Sequence, residues 1–187
     1  MIIDRDDITQ FRDGIFALNT RRFGSVAEIM IKRLFGFENS GTIVYDLFDA
    51  THNARVEVKF SRVMKENSER IREDNVLSQC LSAAFLENRS LQSNELDAYR
   101  FDCNIQQIKR KNFDVLFYGL FFTDCVEIYV IDAEDVLALP GYSDYQHAGN
   151  TGEGQFHINN HSIFYHRQNH FNMTLTYNDL FEMFRSV

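Results

Sequence analysis

The chain has 187 residues and a hydrophobic fraction of 44 %, with 18 Phe and 8 Tyr, enough bulky material for the core of one domain spanning residues 1–187. Its 19 basic and 27 acidic residues leave a formal charge of −8, which excludes a protein that grips nucleic acid by bulk charge alone. No apolar run approaches the ~20 residues of a membrane span. The opening MIIDRDDITQF lacks the basic-then-apolar layout of a secretion signal, and Cys80, Cys103 and Cys125 form no CxxC pair. These features predict a cytoplasmic protein without a zinc knuckle or disulfide frame.

In chain order, Ile8, Phe11, Ile15 and Leu18 recur at helical spacing. SVAEIMIKRLFGF then sets Ser25 three positions before Glu28, the spacing of a capping box, with Gly36 as the stop. TIVYDLFDA and ARVEVKFSRV, separated by THN, predict a β-hairpin. A helix is expected over 75–86, with a start as early as position 67. IQQIK reads as a short strand, and FDVLFYGLFF with VEIYVIDA as two central strands around the turn TD. The stretch 141–160, rich in Gly, Asn and His, reads as a long loop. Short strands over 162–166 and 171–175 follow, and TYNDLFEMF closes as a helix with Thr176 as its N-cap. Pro140 is the one proline, so no Pro-rich linker divides the chain. The pattern predicts a mixed α/β (α+β) domain, a central mixed sheet flanked by helices.

The stretch RVEVKFS, 55–61, carries the chemistry. Val56, Val58 and Phe60 alternate with Glu57 and Lys59, so an acid and a base share one face of a strand. A two-residue turn sets Asp46 opposite Lys59; a four-residue turn sets it opposite Glu57. Under either register Asp46, Glu57 and Lys59 point to one side of the hairpin and Asp49 to the other. Two carboxylates can hold Mg²⁺, a hard cation that keeps several waters, and such an ion activates water and stabilises a leaving oxygen. A neighbouring lysine can position or activate that water and offset phosphoryl charge.

Asp46 followed by the Glu57-Val58-Lys59 triplet, with Glu28 on a preceding helix, resembles the PD-(D/E)xK nuclease superfamily. Tyr45 stands where that family often has proline. The resemblance implies a restriction-endonuclease-like fold, Mg²⁺ at Asp46 and Glu57, a catalytic set of Asp46, Glu57, Lys59 and Glu28, and double-stranded DNA as substrate. FDVLFYGLFFTDCVEIYVID and YSDYQHAGNTGEGQFHIN further resemble the small cleavage subunit of heterodimeric type IIS restriction endonucleases. That likeness implies hydrolysis of one DNA strand, with recognition supplied by a larger nicking subunit. It accords with the charge of −8, since a delivered subunit needs little DNA affinity of its own.

Other readings stand beside it. The ExK residues also suit a solvated ion pair on a non-enzymatic, acidic interaction module. His147, His157, His161, His166 and His170 raise an HNH-type nuclease, although their spacings match no ligand pattern. Glu28 has two structural explanations, the box with Ser25 and an i,i+4 pair with Lys32. Two stretches, 55–72 and 100–112, each carry a local charge of +3, a modest pointer to phosphate contacts. Gln106, Gln107 and Lys109, in or beside the second, are candidates to contact phosphates or to support the site from a neighbouring strand, against the plainer reading of exposed polar strand residues.

Overall fold

The helical spacing near the start builds two helices, α1 (Arg5–Ala17) and α2 (Thr20–Phe35). The computed structural model of the chain describes residues 5–145 and 151–186. Asn19, not Ser25, caps α2, its side chain accepting from the Arg22 amide at 3.1 Å. Ser25 lies inside the helix and donates to the Arg21 carbonyl. The expected capping box therefore does not open this helix, because an Asn further upstream already satisfies a first-turn amide. Gly36 does end it, with a left-handed φ of 70° and its N–H on the Lys32 carbonyl.

The chain continues through β1 (Glu38–Asn39), β2 (Leu47–Asp49), β3 (Ala54–Arg62), α3 (Val76–Ala83), α4 (Leu86–Arg89) and β4 (Asp102–Ile108). Next are β5 (Val115–Phe121), β6 (Cys125–Asp132), β7 (Ser143–Tyr145), β8 (Thr151–Asn159), α5 (Ile163–Asn169), β9 (Phe171–Thr176) and α6 (Tyr177–Arg185). One sheet has six strands in the order β1-β2-β3-β5-β6-β9, and a second has the order β4-β8-β7. Among the described residues only β3 and β5 run parallel; every other pairing is antiparallel. A parallel pair needs a long crossover, and the crossover here carries α3, α4 and β4. The mixed α/β class expected from the sequence is what forms. Among the described residues, no helix is long and apolar enough to cross a membrane.

The large sheet separates two cores. On one face Val56, Val58, Phe117, Phe121 and Ile128 pack with residues of α1, α2 and α6. On the other, Leu116, Tyr118, Leu120 and Tyr129 pack with Ile105, Phe156 and Ile158 of the small sheet. Burial on both faces explains why β5 and β6 read as unbroken apolar runs. At Gly119 the strands meet so closely that a Cβ would lie 2.2 Å from the Glu127 carbonyl and 2.3 Å from the Phe60 ring.

Three further sequence expectations change. The stretch 141–160 is not one loop: β7 and β8 fall within it, and 146–150 lie outside the described residues. In β8, Gly154, Phe156 and Ile158 are buried at alternate positions, a strand pattern masked by the Gly and Asn content. At Gly154 a Cβ would meet the hydroxyl end of Tyr142, so a larger residue there would displace that ring. The stretch 162–166 is not a strand but the entry to α5. Asn159 accepts from the His161 and Ser162 amides and turns the chain, so Ile163 and His166 reach the core at helical spacing. The third is the helix over 75–86, which starts at Val76 and stops at Ala83, with no extension towards position 67.

α5 is fixed from below by a buried polar group. Arg167 donates to both Glu127 oxygens, at 2.6 and 3.1 Å, and the Tyr129 hydroxyl donates to the same carboxylate. Beside it His166 is fully buried, its Nδ1 at 3.0 Å from the Tyr118 hydroxyl and its ring stacked on Phe156. Burial, then the nearby charge of His170, pushes the His166 imidazole down to about 4. In the unfolded chain it titrates near ~6.5. The unfolded state thus binds the proton first, so stability is full above the unfolded value and falls as the pH drops towards 4. The loss amounts to about 3 kcal/mol. Urea midpoints between pH 7 and pH 4.5 should fall steeply in the natural protein and less in His166→Phe.

Candidate functional site

β2 and β3 pair with Asp49 opposite Ala54 and Leu47 opposite Val56, the register of a four-residue turn. The turn is built by Asp49, whose carboxylate accepts from the Thr51 and His52 amides and lies 2.6 Å from the His52 ring. Asn53 closes it at a left-handed φ of 53°. Asp49 is thereby used up in the turn, as strand parity indicates. In this register Asp46 is next in line to face Glu57.

Asp46 sits one residue beyond the end of β2. Its amide still donates to the Val56 carbonyl at 3.1 Å, while its carboxylate accepts from the Val58 amide at 2.9 Å. The side chain thus supplies the acceptor where the ladder opens, and this turns the carboxylate across β3. Lys59 reaches into the same space. Its ammonium lies 2.5 Å from Glu57 Oε1 and 3.5 Å from Asp46 Oδ2, and donates to the Val58 carbonyl at 3.3 Å. The three side chains inferred from parity therefore converge.

Their electrostatics follow from partial burial. Glu57 is held above the usual carboxylate range by burial, then, against Lys59, by the charge of Asp46. Lys59 is lowered by burial but raised more by Glu57 and Asp46 together, so it stays an ammonium. Glu28 is also raised, first by burial and then by the charge of Asp46. Its coupling to Asp46, Lys59 and Glu57 places it in the cluster's field, and it lines a cleft of 320 Å³ together with Asp46, Lys32 and Tyr45. Neither structural explanation for Glu28 matches the arrangement found. Ser25 is within the helix, and Lys32 donates to Asn39 Oδ1 at 2.7 Å.

Among the described residues, no three His, Cys, Asp or Glu side chains form a ready-made cation cage. Two carboxylates with solvent nearby are nevertheless the set that Mg²⁺ uses when it retains several waters. Asp46 and Glu57 set two carboxylates against a single ammonium, a surplus of negative charge that a divalent cation would offset. The donor set therefore fits a hard ion at Asp46 and Glu57.

The basic stretches turn out to be largely structural. Arg55 forms a paired contact with Asp114, Arg62 donates to the Phe16 and Leu18 carbonyls, and Lys65 donates to the Glu87 carbonyl. In the second stretch Lys109 pairs with Glu153, and Arg110 contacts Asp144. Lys109 still acts on the site, since its charge is among those that lower Glu57. The sequence offers Lys109 as a support from a neighbouring strand, although the β-bulge at 105–108 that sets the end of β4, with Gln107 at a φ of 61°, leaves no periodic signal.

Among the described residues the histidines form no common cluster, although the His166 and His170 rings lie 6.3 Å apart. His157 binds Asp102 at 2.9 Å, His166 is enclosed by aromatic rings, and His147 lies outside the described residues. No family model, curated protein or solved structure matches the chain.

The bond from Val58 to Asp46 can be read directly. Amide hydrogen exchange at Val58 should speed up in Asp46→Ala, with a stability loss of about 1–3 kcal/mol. Asp46→Asn, whose side-chain oxygen still accepts, should retain most of the protection.

Proposed function

We propose that this chain is the catalytic subunit of a type II restriction endonuclease of the IIS kind, hydrolysing one strand of double-stranded DNA with Mg²⁺. The observation that carries the reading is the convergence of two carboxylates on one strand-borne ammonium, Glu57 at 2.5 Å and Asp46 at 3.5 Å from Lys59 Nζ. A solvated surface pair would not be expected to gather a third acid from another element, yet Glu28 shares the field.

In this reading Asp46 and Glu57 hold the metal, whose chemistry is to acidify a water and stabilise charge on the leaving oxygen. Lys59, kept protonated by its neighbours, orients the attacking water and offsets charge on the phosphoryl oxygens. It is not placed to remove a proton. Glu28 contributes a further carboxylate from the wall of the adjoining cleft. The charge of −8 and the internal use of the basic residues favour delivery to DNA by a larger recognition subunit.

Two measurements test this. Manganese EPR on the isolated chain should show one bound Mn²⁺, weakened at least about tenfold in Glu57→Gln. Nicking of plasmid DNA by the complex with its recognition subunit should slow by about 100-fold or more in Glu57→Gln and in Lys59→Met, with unchanged circular dichroism. Normal nicking in both variants would overturn the assignment. Loss of nicking in His157→Ala alone would favour the HNH reading, and a chain that binds no Mn²⁺ and cuts nothing would favour the interaction module.

A further inference from the structure

β3 ends at Arg62, and the chain runs on beside the segment that follows α4. Met64 bridges Ser90 in the antiparallel sense, the Lys65 amide donates to the Arg89 carbonyl at 2.7 Å, and the Leu91 amide donates to the Val63 carbonyl at 3.3 Å. This register sets Lys65 opposite Arg89, two like charges in a place where they repel. Among the described residues no carboxylate pairs with either. The Lys65 ammonium donates to the Glu87 carbonyl at 2.7 Å and lies 4.2 Å from the centre of the Tyr99 ring. The Glu87 carboxylate is turned instead to Arg12, at 2.8 Å. Arg89 Nε is buried without a hydrogen-bond partner, a costly state for a charged donor. A third cation stands near: Arg62, satisfied by carbonyls, is lowered by burial and then by the charge of Arg89. Lys65 and Arg89 line one cleft of 350 Å³ with Asn67, Asn88 and Tyr99, and Glu66 is the one acid among its lining residues. α3 adds Gln79 and Ser82 to the lining; the helix buries none of its own side chains, and Leu77 and Leu81 face solvent.

We propose that this cleft binds a phosphate group, held between the Lys65 ammonium and the Arg89 guanidinium. Charge selects the occupant. Two cations stand opposite each other with no acid between them, on a chain whose total charge of −8 supplies carboxylates in plenty elsewhere. An anion placed between them removes their repulsion and gives Arg89 Nε the acceptor that the protein does not provide. A planar guanidinium fork and a compact ammonium match a tetrahedral, doubly charged group, whose several oxygens accept from both at once. The volume is at the small end for a bound molecule, enough for a phosphate and a modest group attached to it. The inference goes beyond the nuclease reading and does not rest on it, because it uses no residue of the Asp46–Glu57–Lys59 cluster.

Isothermal titration of the full chain with inorganic phosphate, without Mg²⁺ and against chloride of equal ionic strength, tests it. The natural protein should show one saturable site. Arg89→Gln and Lys65→Gln should each weaken it at least about tenfold, with unchanged circular dichroism. Arg21→Gln, which removes an exposed cation of α2 outside the cleft, should leave it as it is. If Arg89→Gln does not fold, Lys65→Gln, at a position partly open to solvent, carries the test. Competition then identifies the source of the group. Displacement of phosphate by a short DNA duplex marks a phosphodiester, displacement by ribose 5-phosphate alone marks a small phosphomonoester, and displacement by neither marks free phosphate itself. Absence of saturable binding overturns the proposal, and so does binding that persists unchanged in both variants.

Discussion

A lysine ammonium withdrawn from solvent is tolerable only where opposite charge replaces its water, and Lys59 has two carboxylates for that purpose. The surrounding architecture serves this contact. Placing Glu57 and Lys59 on one side of β3 follows from strand alternation, but bringing Asp46 to them needs a particular register, and the register needs the turn that Asp49 builds. The cluster is therefore a property of the hairpin as a whole, and the burial that holds Glu57 and Glu28 above their usual range comes from the helices and strands packed around it.

β3 is where the two halves of the domain are joined. It pairs antiparallel with a short strand on one side and parallel with β5 on the other. The parallel neighbour forces a long crossover, and that excursion carries α3 away from both cores and delivers β4 to the second sheet. One topological choice thus accounts for the site's rigid side, the small sheet behind it and the solvent-facing apolar helix.

Much of this was legible in the chain. Parity alone separated Asp46 from Asp49, and the apolar runs of β5 and β6 announced strands covered on both faces. Gly36 and Thr176 marked helix ends that the structure keeps. Two of the misreadings share one cause: local composition outweighed periodicity. The glycines and asparagines of 151–159 hid a regular alternation of buried positions, and a β-like string at 162–166 gave way to a turn fixed by a single asparagine side chain. Other features had no local signal. The exposure of α3 depends on segments far apart in sequence, and an amphipathic stripe reads the same whether its apolar side is buried or bare.

The open end of the β2–β3 ladder has a consequence for solubility. β2 covers only the first residues of β3, so from Val58 onward that flank is a strand edge, the kind of surface on which foreign strands can grow. The Asp46 carboxylate occupies the Val58 amide and sets a negative charge at the point of greatest vulnerability. The same acid thus caps the strand edge and faces the Lys59 ammonium, and whatever draws it away from Val58 bares that edge.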